Sequence, residues 1–502
     1  MASKKYDVVI MGGGHNGLVA ASYLAKAGKS VVILEANPEI GGATQSVRSF
    51  PGFDAKISRY SYLVALLPDK IVNDLGLRFD CVSREVSSYT PYGHDQGLYV
   101  SRAWNEKTAY SFNTIDPTGS EGQSWQDFYG EIAEFAQRIA PTMLQPLKTR
   151  SQMRQHIDLP IVWDYLIEKP IGQVINDRFT NDIVKGVVLT DALIGTYASA
   201  FDLQSNICFL YHLIGNGTGE WKVPRGGMGA LVNELIEVAK NSGVEIKVDS
   251  KVCAVVSDSE GVTVTTESGE TFTADYLLSN AAPQVLAKLQ NKTQPPALDG
   301  SQLKINILLK RLPQLKSGID PRIAFAGTFH VNESFTQCED VFASTQAGTM
   351  PAHMPLEMYC HTLSDPSILS PELAAAGFHT LTIFSLHTPA SLFDQDNDGA
   401  REQALVSALA SINQYLAEPI EDVIAAIEVK TPLDIEAAIG LPRGNIFHRD
   451  LQFPFREDES APSWGVETGD PRIFICGAGA VRGGGVSGIP GHNAAMAVLA
   501  AN

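Results

Sequence analysis

The sequence predicts an α/β fold: a parallel-sheet domain assembled from separate stretches of chain, with an α+β domain interleaved. Three observations carry this prediction. A short apolar run at residues 6–11 leads straight into Gly12-Gly-Gly-His-Asn-Gly17. A second apolar run, 30–34, ends on the acid Glu35. Near the far end, the run 472–476 opens onto a glycine-rich loop, 477–491, and an alanine-rich tail.

Each element has a physical reason. A short uninterrupted apolar run predicts a strand buried on both faces, as in a parallel sheet. Gly12, Gly14 and Gly17 have the G-x-G-x-x-G spacing, with His15 and Asn16 between them. Gly12 permits the tight turn, Gly14 lets the backbone approach a pyrophosphate, and Gly17 lets the next helix pack close to the strand. Residues 18–27 predict that helix, closed by Gly28. Its N-terminus presents free N–H groups to phosphate. Glu35 is placed to accept hydrogen bonds from ribose hydroxyls. The far strand, loop and helix form a second backbone nest without a second complete fingerprint. That loop is predicted to return to the first ligand through Gly477, Gly479, Gly488, Ile489 and Gly491.

Composition narrows the function. The chain has 502 residues, 44% of them hydrophobic and 19% charged, which predicts a large core and excludes a disordered chain. Its 38 Lys+Arg against 56 Asp+Glu give a net charge of −18, which argues against nucleic acid as a partner. Six scattered Cys, none in a C-x-x-C pair, predict a reduced cytoplasmic protein with no metal site and no disulfide framework. No secretory h-region precedes the first strand, and no run reaches membrane-spanning length. The apolar segments 60–67 and 186–214 offer either a peripheral membrane contact or an interior tunnel. The oligomeric state stays open.

Between the two ends, residues 231–242 predict a helix and 244–248 and 251–256 strands. A hairpin is predicted over 261–266 and 271–276, then a further strand over 276–280. Pro283 marks a helix start. The segment 80–215 is predicted largely helical. Ser124-Trp-Gln-Asp127 is a capping-box pattern, and Trp125, Phe128, Ile132, Phe135 and Ile139 recur at helical spacing as a core stripe. The segment 300–440 carries strand runs at 303–309 and 379–386 and a helix at 404–416.

After Glu35 the chain reads Ala36-Asn-Pro-Glu-Ile-Gly41-Gly42-Ala43-Thr44. This Gly-Gly pair resembles the second signature of FAD-binding oxidoreductases of the glutathione-reductase type, where it meets the flavin diphosphate. The arginine usual two positions earlier is Glu39 here, with Arg48 as the nearby substitute. Segments 7–43, 221–231 and 473–497 together resemble the phytoene desaturase-like family, the carotenoid desaturase and isomerase group within the amine-oxidase-like flavoproteins. Trp221-Lys-Val-Pro-Arg-Gly-Gly-Met-Gly229 resembles its mid-chain motif. The resemblance implies non-covalent FAD, a hydrophobic small-molecule substrate, and backbone near Val252 against the adenine. It also implies an FAD domain made of 1–80, 216–298 and 441–502, with a helical cap at 81–215 and a substrate-domain sheet and helix at 299–440.

A flavin carries the hard step itself, so few catalytic side chains are expected. The catalytic candidates are Arg482, His448 and Arg449; the substrate-pocket candidates are Tyr60, Tyr62, Asp191, His212 and Trp221. The expected activity is desaturation of an apolar, unsaturated small molecule by hydride transfer to flavin N5, with reoxidation by oxygen or a quinone. The alternatives are a reduced-FAD isomerase without net redox change, an amine oxidase with an aromatic cage, and a catalytically silent flavoprotein that acts as a binding partner.

Overall fold

The computed structural model describes residues 5–501. The first stretch contains β1 (Lys5–Met11), α1 (His15–Lys26) and β2 (Val31–Leu34). The second contains β3 (Val86–Tyr92), β4 (Gln96–Ser101), α2 (Ser120–Ile139), α3 (Asp182–Thr190) and α4 (Leu203–Ile214). Then come α5 (Met228–Asn241), β5 (Glu245–Lys247), β6 (Val252–Ser257), β7 (Val262–Thr266) and β8 (Thr271–Ser279). The fourth stretch holds β9 (Lys304–Leu309), β10 (Thr328–Val331), β11 (Leu356–Tyr359), β12 (His379–Ser385), α6 (Asn397–Asn413) and β13 (Ile424–Lys430). The last holds β14 (Ile473–Ile475) and α7 (Ile489–Ala500).

Among the described residues these strands make two seven-stranded sheets. The first has the order β6-β7-β8-β1-β2-β5, with β14 also on β8. Its centre is parallel: β8, β2 and β14 all run with β1 or with each other's direction. β8 is one continuous strand where the sequence pattern suggested two. One edge pairs with β1 along its length, and the other is divided between antiparallel β7 and parallel β14. That division joins distant stretches of chain in one sheet. Val8, Val9, Ile10, Val32 and Ile33 are fully buried there, as an apolar parallel strand requires.

Two helices lean on this sheet through glycine. A Cβ on Gly17 would fall onto the Gly12 carbonyl oxygen, and one on Gly491 onto the Asn16 carbonyl oxygen. Gly17 thus seats α1 on its own turn, and Gly491 brings α7 to backbone distance from α1, which only glycine allows.

The second sheet has the order β13-β9-β12-β11-β10-β3-β4, antiparallel except for β10 against β3. The segment 81–215 was expected to be a helical cap, yet it supplies β3 and β4 to this sheet. Alternation in 86–92 and 96–101 carries that signal, with Val86, Ser88, Leu98 and Val100 turned inward. The capping-box pattern at 124–127 lies inside α2. The helix starts at Ser120, where Asp116 accepts from Ser120 Oγ (2.8 Å) and the Glu121 N–H (3.0 Å). Among the described residues no helix is long and apolar enough to cross a membrane.

Candidate active site

A cavity of about 1120 Å³ is lined at one end by the β1–α1 turn and at the other by one face of the second sheet. At the first end Gly12, Gly14, His15, Asn16, Glu35, Ala36, Gly42, Ala43, Thr44 and Val252 all reach the cavity. Gly12 has φ +97°, a conformation that glycine adopts without strain. Gly14 caps α1 with extended backbone and no side-chain cap, so the first-turn N–H groups face the cavity. Glu35 is fixed by the chain: its Oε2 accepts from the Gly13 N–H (2.8 Å) and its Oε1 from the Asn37 N–H (2.9 Å). Its remaining lone pairs are available to ribose hydroxyls.

The residues present suit FAD. The Asn16 Oδ1 is buried without a partner in the protein, and a Cβ on Gly14 would project against little besides the Asn280 amide. His15 Nδ1 lies 3.0 Å from Thr44 Oγ1. Burial pulls the His15 imidazole down to about 4, with His448 adding to the shift. His448 also lines the cavity and is likewise pulled down to about 4 by burial. Both are neutral at pH 7. His448 (φ +64°) lines this wall together with Ala478, Gly484, Gly485 and Val486 of the far loop.

Several sequence expectations are corrected here. Arg482 does not face the cavity. It is 1% exposed, and its guanidinium donates to the carbonyls of Thr142 (3.2 Å), Gln145 (2.5 Å) and Trp464 (2.7 Å). It fastens the far loop to the segment after α2. Arg449 is exposed at the surface. Gly477, Gly479, Gly488, Ile489 and Gly491 were expected on the cofactor and instead pack protein against protein. A Cβ on Gly477 would meet the Asn280 carbonyl oxygen at 2.6 Å, and one on Gly479 would meet Pro283 at 2.7 Å. Gly488 (φ +68°) is the N-cap of α7 and faces Val19, and Ile489 is buried in the core. Gly17 packs its helix against the turn, as its place in the fingerprint predicts, whereas Gly41 (φ +126°), expected at the cofactor, packs on Val232. Arg48 pairs with Asp54 at the surface.

The second end is a chamber. Its floor is the inward face of the second sheet, where residues two apart share a side. Direct cross-strand neighbours Lys304, Phe384, Glu357 and His330 form one row across β9, β12, β11 and β10. Trp125, Tyr129, Ile132, Val187, Asp191 and Ile194 form the opposite wall. Part of the α2 stripe read as pure core thus lines the chamber, while Phe128, Phe135 and Ile139 are core.

All five pocket candidates reach the cavity: Tyr60, Tyr62, Asp191, His212 and Trp221. The His212 ring stacks on Trp221 (4.9 Å, 21°), and burial pulls it down to about 4. Burial pushes Asp191 up to about 7. Tyr62 and Tyr359 lie 4.8 Å apart, and the Lys304 Nζ sits 4.0 Å over the Tyr62 ring. Burial holds that ammonium well below its ordinary value. Tyr359 donates to Glu357 Oε2 (2.5 Å), and burial pushes Glu357 up to about 8. The sequence reading missed Lys304, Arg84, His330, Glu357 and Tyr359. The available signal was a buried ionisable residue inside a short strand: His330 in Thr328–Val331 and Glu357 in Leu356–Tyr359.

Residues 10–67 match the NAD(P)-binding Rossmann-like domain, and residues 144–310 match the flavin containing amine oxidoreductase family. The chain is 42% identical to an uncharacterised protein of Mycobacterium tuberculosis over 99% of this chain and 97% of that one. It is 30% identical to pyridine nucleotide-disulfide oxidoreductase domain-containing protein 2 of Mus musculus, over 99% and 93% of the two chains. It is 25% identical to the carotenoid 3,4-desaturase of Haloarcula japonica over 55% of each. Among solved structures, putrescine oxidase bound to putrescine superposes with a TM-score of 0.60 at 17% identity, over 99% of both chains. That last likeness is one of fold. With the dinucleotide end and the chamber in one cavity, the chain belongs to the phytoene desaturase-like family and is an FAD-dependent oxidoreductase.

Proposed function

We propose that the protein desaturates a largely apolar, unsaturated small molecule. The carrying observation is that one cavity joins the phosphate-binding turn to a chamber walled by Trp125, Tyr129, Ile132, Val187, Ile194 and Phe384. In this reading FAD is held non-covalently, in a domain of glutathione-reductase type made of residues 1–80, 216–298 and 441–502. Gly14 backbone and the α1 N-terminus hold the pyrophosphate, Glu35 the ribose, and backbone at Val252 the adenine. When bound, FAD supplies the hydride-accepting chemistry that desaturation needs. The chain does the rest. The aromatic and aliphatic walls take up the substrate and exclude water, which strengthens every polar contact inside. His15 and His448, both neutral, add no charge beside the cofactor.

A second reading, oxidation of an amine, is supported by the Tyr62–Tyr359 pair with the acid Glu357 beside it. Anaerobic incubation of holoprotein with polyenes and with amines separates the readings by flavin absorbance. Bleaching by polyenes supports the desaturase, and bleaching by amines alone supports the oxidase. Product formed only after prior reduction, with no bleaching, supports an isomerase. Silence to both panels would contradict the enzymatic proposals.

A further inference from the structure

Desaturation removes two hydrogens from adjacent carbons. One leaves with its electron pair to the flavin, and the other leaves as a proton that a basic group must take. We propose that His330 is that proton acceptor and that Glu333 is its positioning residue. The inference rests on the dehydrogenase reading.

The geometry is that of an oriented base. His330 is on β10, on the face that lines the chamber, with its direct cross-strand neighbour Glu357. Its Nδ1 is hydrogen-bonded to Glu333 Oε2, and the Glu333 side chain is 0% exposed. Glu333 does not line the chamber; it stands behind the imidazole. Burial pushes the Glu333 carboxyl well above its ordinary value; with the proton of this contact on Nδ1, the Nε2 lone pair is left for a substrate. This is the logic by which a buried acid orients a histidine base.

Among the described residues, no Lys or Arg makes an ion pair with Glu333. A buried carboxylate without a counter-charge is costly. Burial accordingly holds the Glu333 carboxyl well above its ordinary value, and an imidazolium formed by proton uptake at Nε2 would draw that carboxyl toward its ionised form. Burial lowers the imidazole, Glu357 and Asp191 push it up, and Arg84 pushes it down. Tyr359 faces the same group through Glu357. The step balances: a C–H bond breaks to each hydrogen, a C=C bond forms, the flavin gains a hydride and His330 gains a proton.

The test uses the holoprotein and an apolar alkylating probe, 1-bromo-2-nonanone, with site mapping by peptide mass spectrometry. The expected result is alkylation of His330 with FAD retained, lost in His330→Gln. Glu333→Gln should slow labelling roughly 10- to 100-fold and move its pH midpoint lower, because the imidazolium loses its carboxylate. A merely structural role for Glu333 would not move that midpoint. Labelling elsewhere in the chamber with His330 untouched would overturn the proposal. So would an unchanged rate and midpoint in a folded, yellow Glu333→Gln protein. If Glu333→Gln does not fold, His330→Gln decides alone: with any donor that bleaches the wild-type flavin, it should slow bleaching roughly 100-fold or more, with dithionite reduction unchanged. Bleaching at the wild-type rate would refute the role. Failure of every donor while His330 still labels would contradict the dehydrogenase reading and leave the oriented base intact.

Discussion

The two glycine-rich units at the ends of the chain share a pattern and differ in use. Each is a strand, a glycine loop and a helix, and each strand lies in the same sheet. In the first unit Gly12 and Gly14 face the cavity and only Gly17 packs a helix. In the second unit Gly477, Gly479, Gly488 and Gly491 all pack against protein, and only Gly484 and Gly485 face the cavity. Glycine marks close backbone approach: in the first unit Gly12 and Gly14 open onto the cavity, and in the second the partner approached is mostly protein. Substitution separates the two uses.

The largest effect is expected at Gly491→Ala, where the new methyl meets the Asn16 carbonyl oxygen with no room to move. Overpacking of this kind costs about 3 kcal/mol or more, read as a lowered urea midpoint or as insoluble protein. Next comes Arg482→Met, which leaves the carbonyls of Thr142, Gln145 and Trp464 without their donor. At about 1 kcal/mol or more for each buried group, a loss near 3 kcal/mol is expected, with the flavin spectrum unchanged.

The acids of the chamber give a third, pH-dependent effect. Asp191 and Glu357 bind protons more tightly folded than unfolded, up to about 7 and about 8. The folded state therefore holds more protons than the unfolded state from about pH 4 up to those values. Stability falls as pH rises through that window, and the full penalty is present above it. Asp191→Asn and Glu357→Gln should each raise the melting temperature above pH 8, by roughly 1–3 kcal/mol of stability, and change little below pH 4. The smallest effect is expected at Arg449→Ala. That residue is exposed, and its loss should stay within about 0.5 kcal/mol with FAD content unaltered.

Legibility followed the range of the interactions. Gly12, Gly14, Gly17 and Glu35 could be read from the chain because one strand–turn–helix unit fixes them all locally. The strand β14 and the inner-face valines of β1 and β2 were legible for the same reason. Arg482 was misread because its loop turns at φ +66°, which sends the guanidinium to carbonyls 337 and 340 residues away in sequence. Lys304, Glu357 and His330 were missed because their adjacency exists only in the register of β9, β12, β11 and β10, which no single segment encodes. β3 and β4 were missed because the segment around them is mostly helical, so its average composition masked a local period of two.

The central claim is that the first unit is where backbone meets the cofactor. Bound FAD per protein chain in Gly14→Ala tests it most directly. Gly14 has φ −69°, and a methyl there meets only the Asn280 amide at 3.0 Å, so the fold should survive. The account predicts a folded protein with a wild-type circular dichroism spectrum that purifies colourless and does not take up added FAD. A folded Gly14→Ala protein that retains FAD at wild-type stoichiometry and affinity would contradict it.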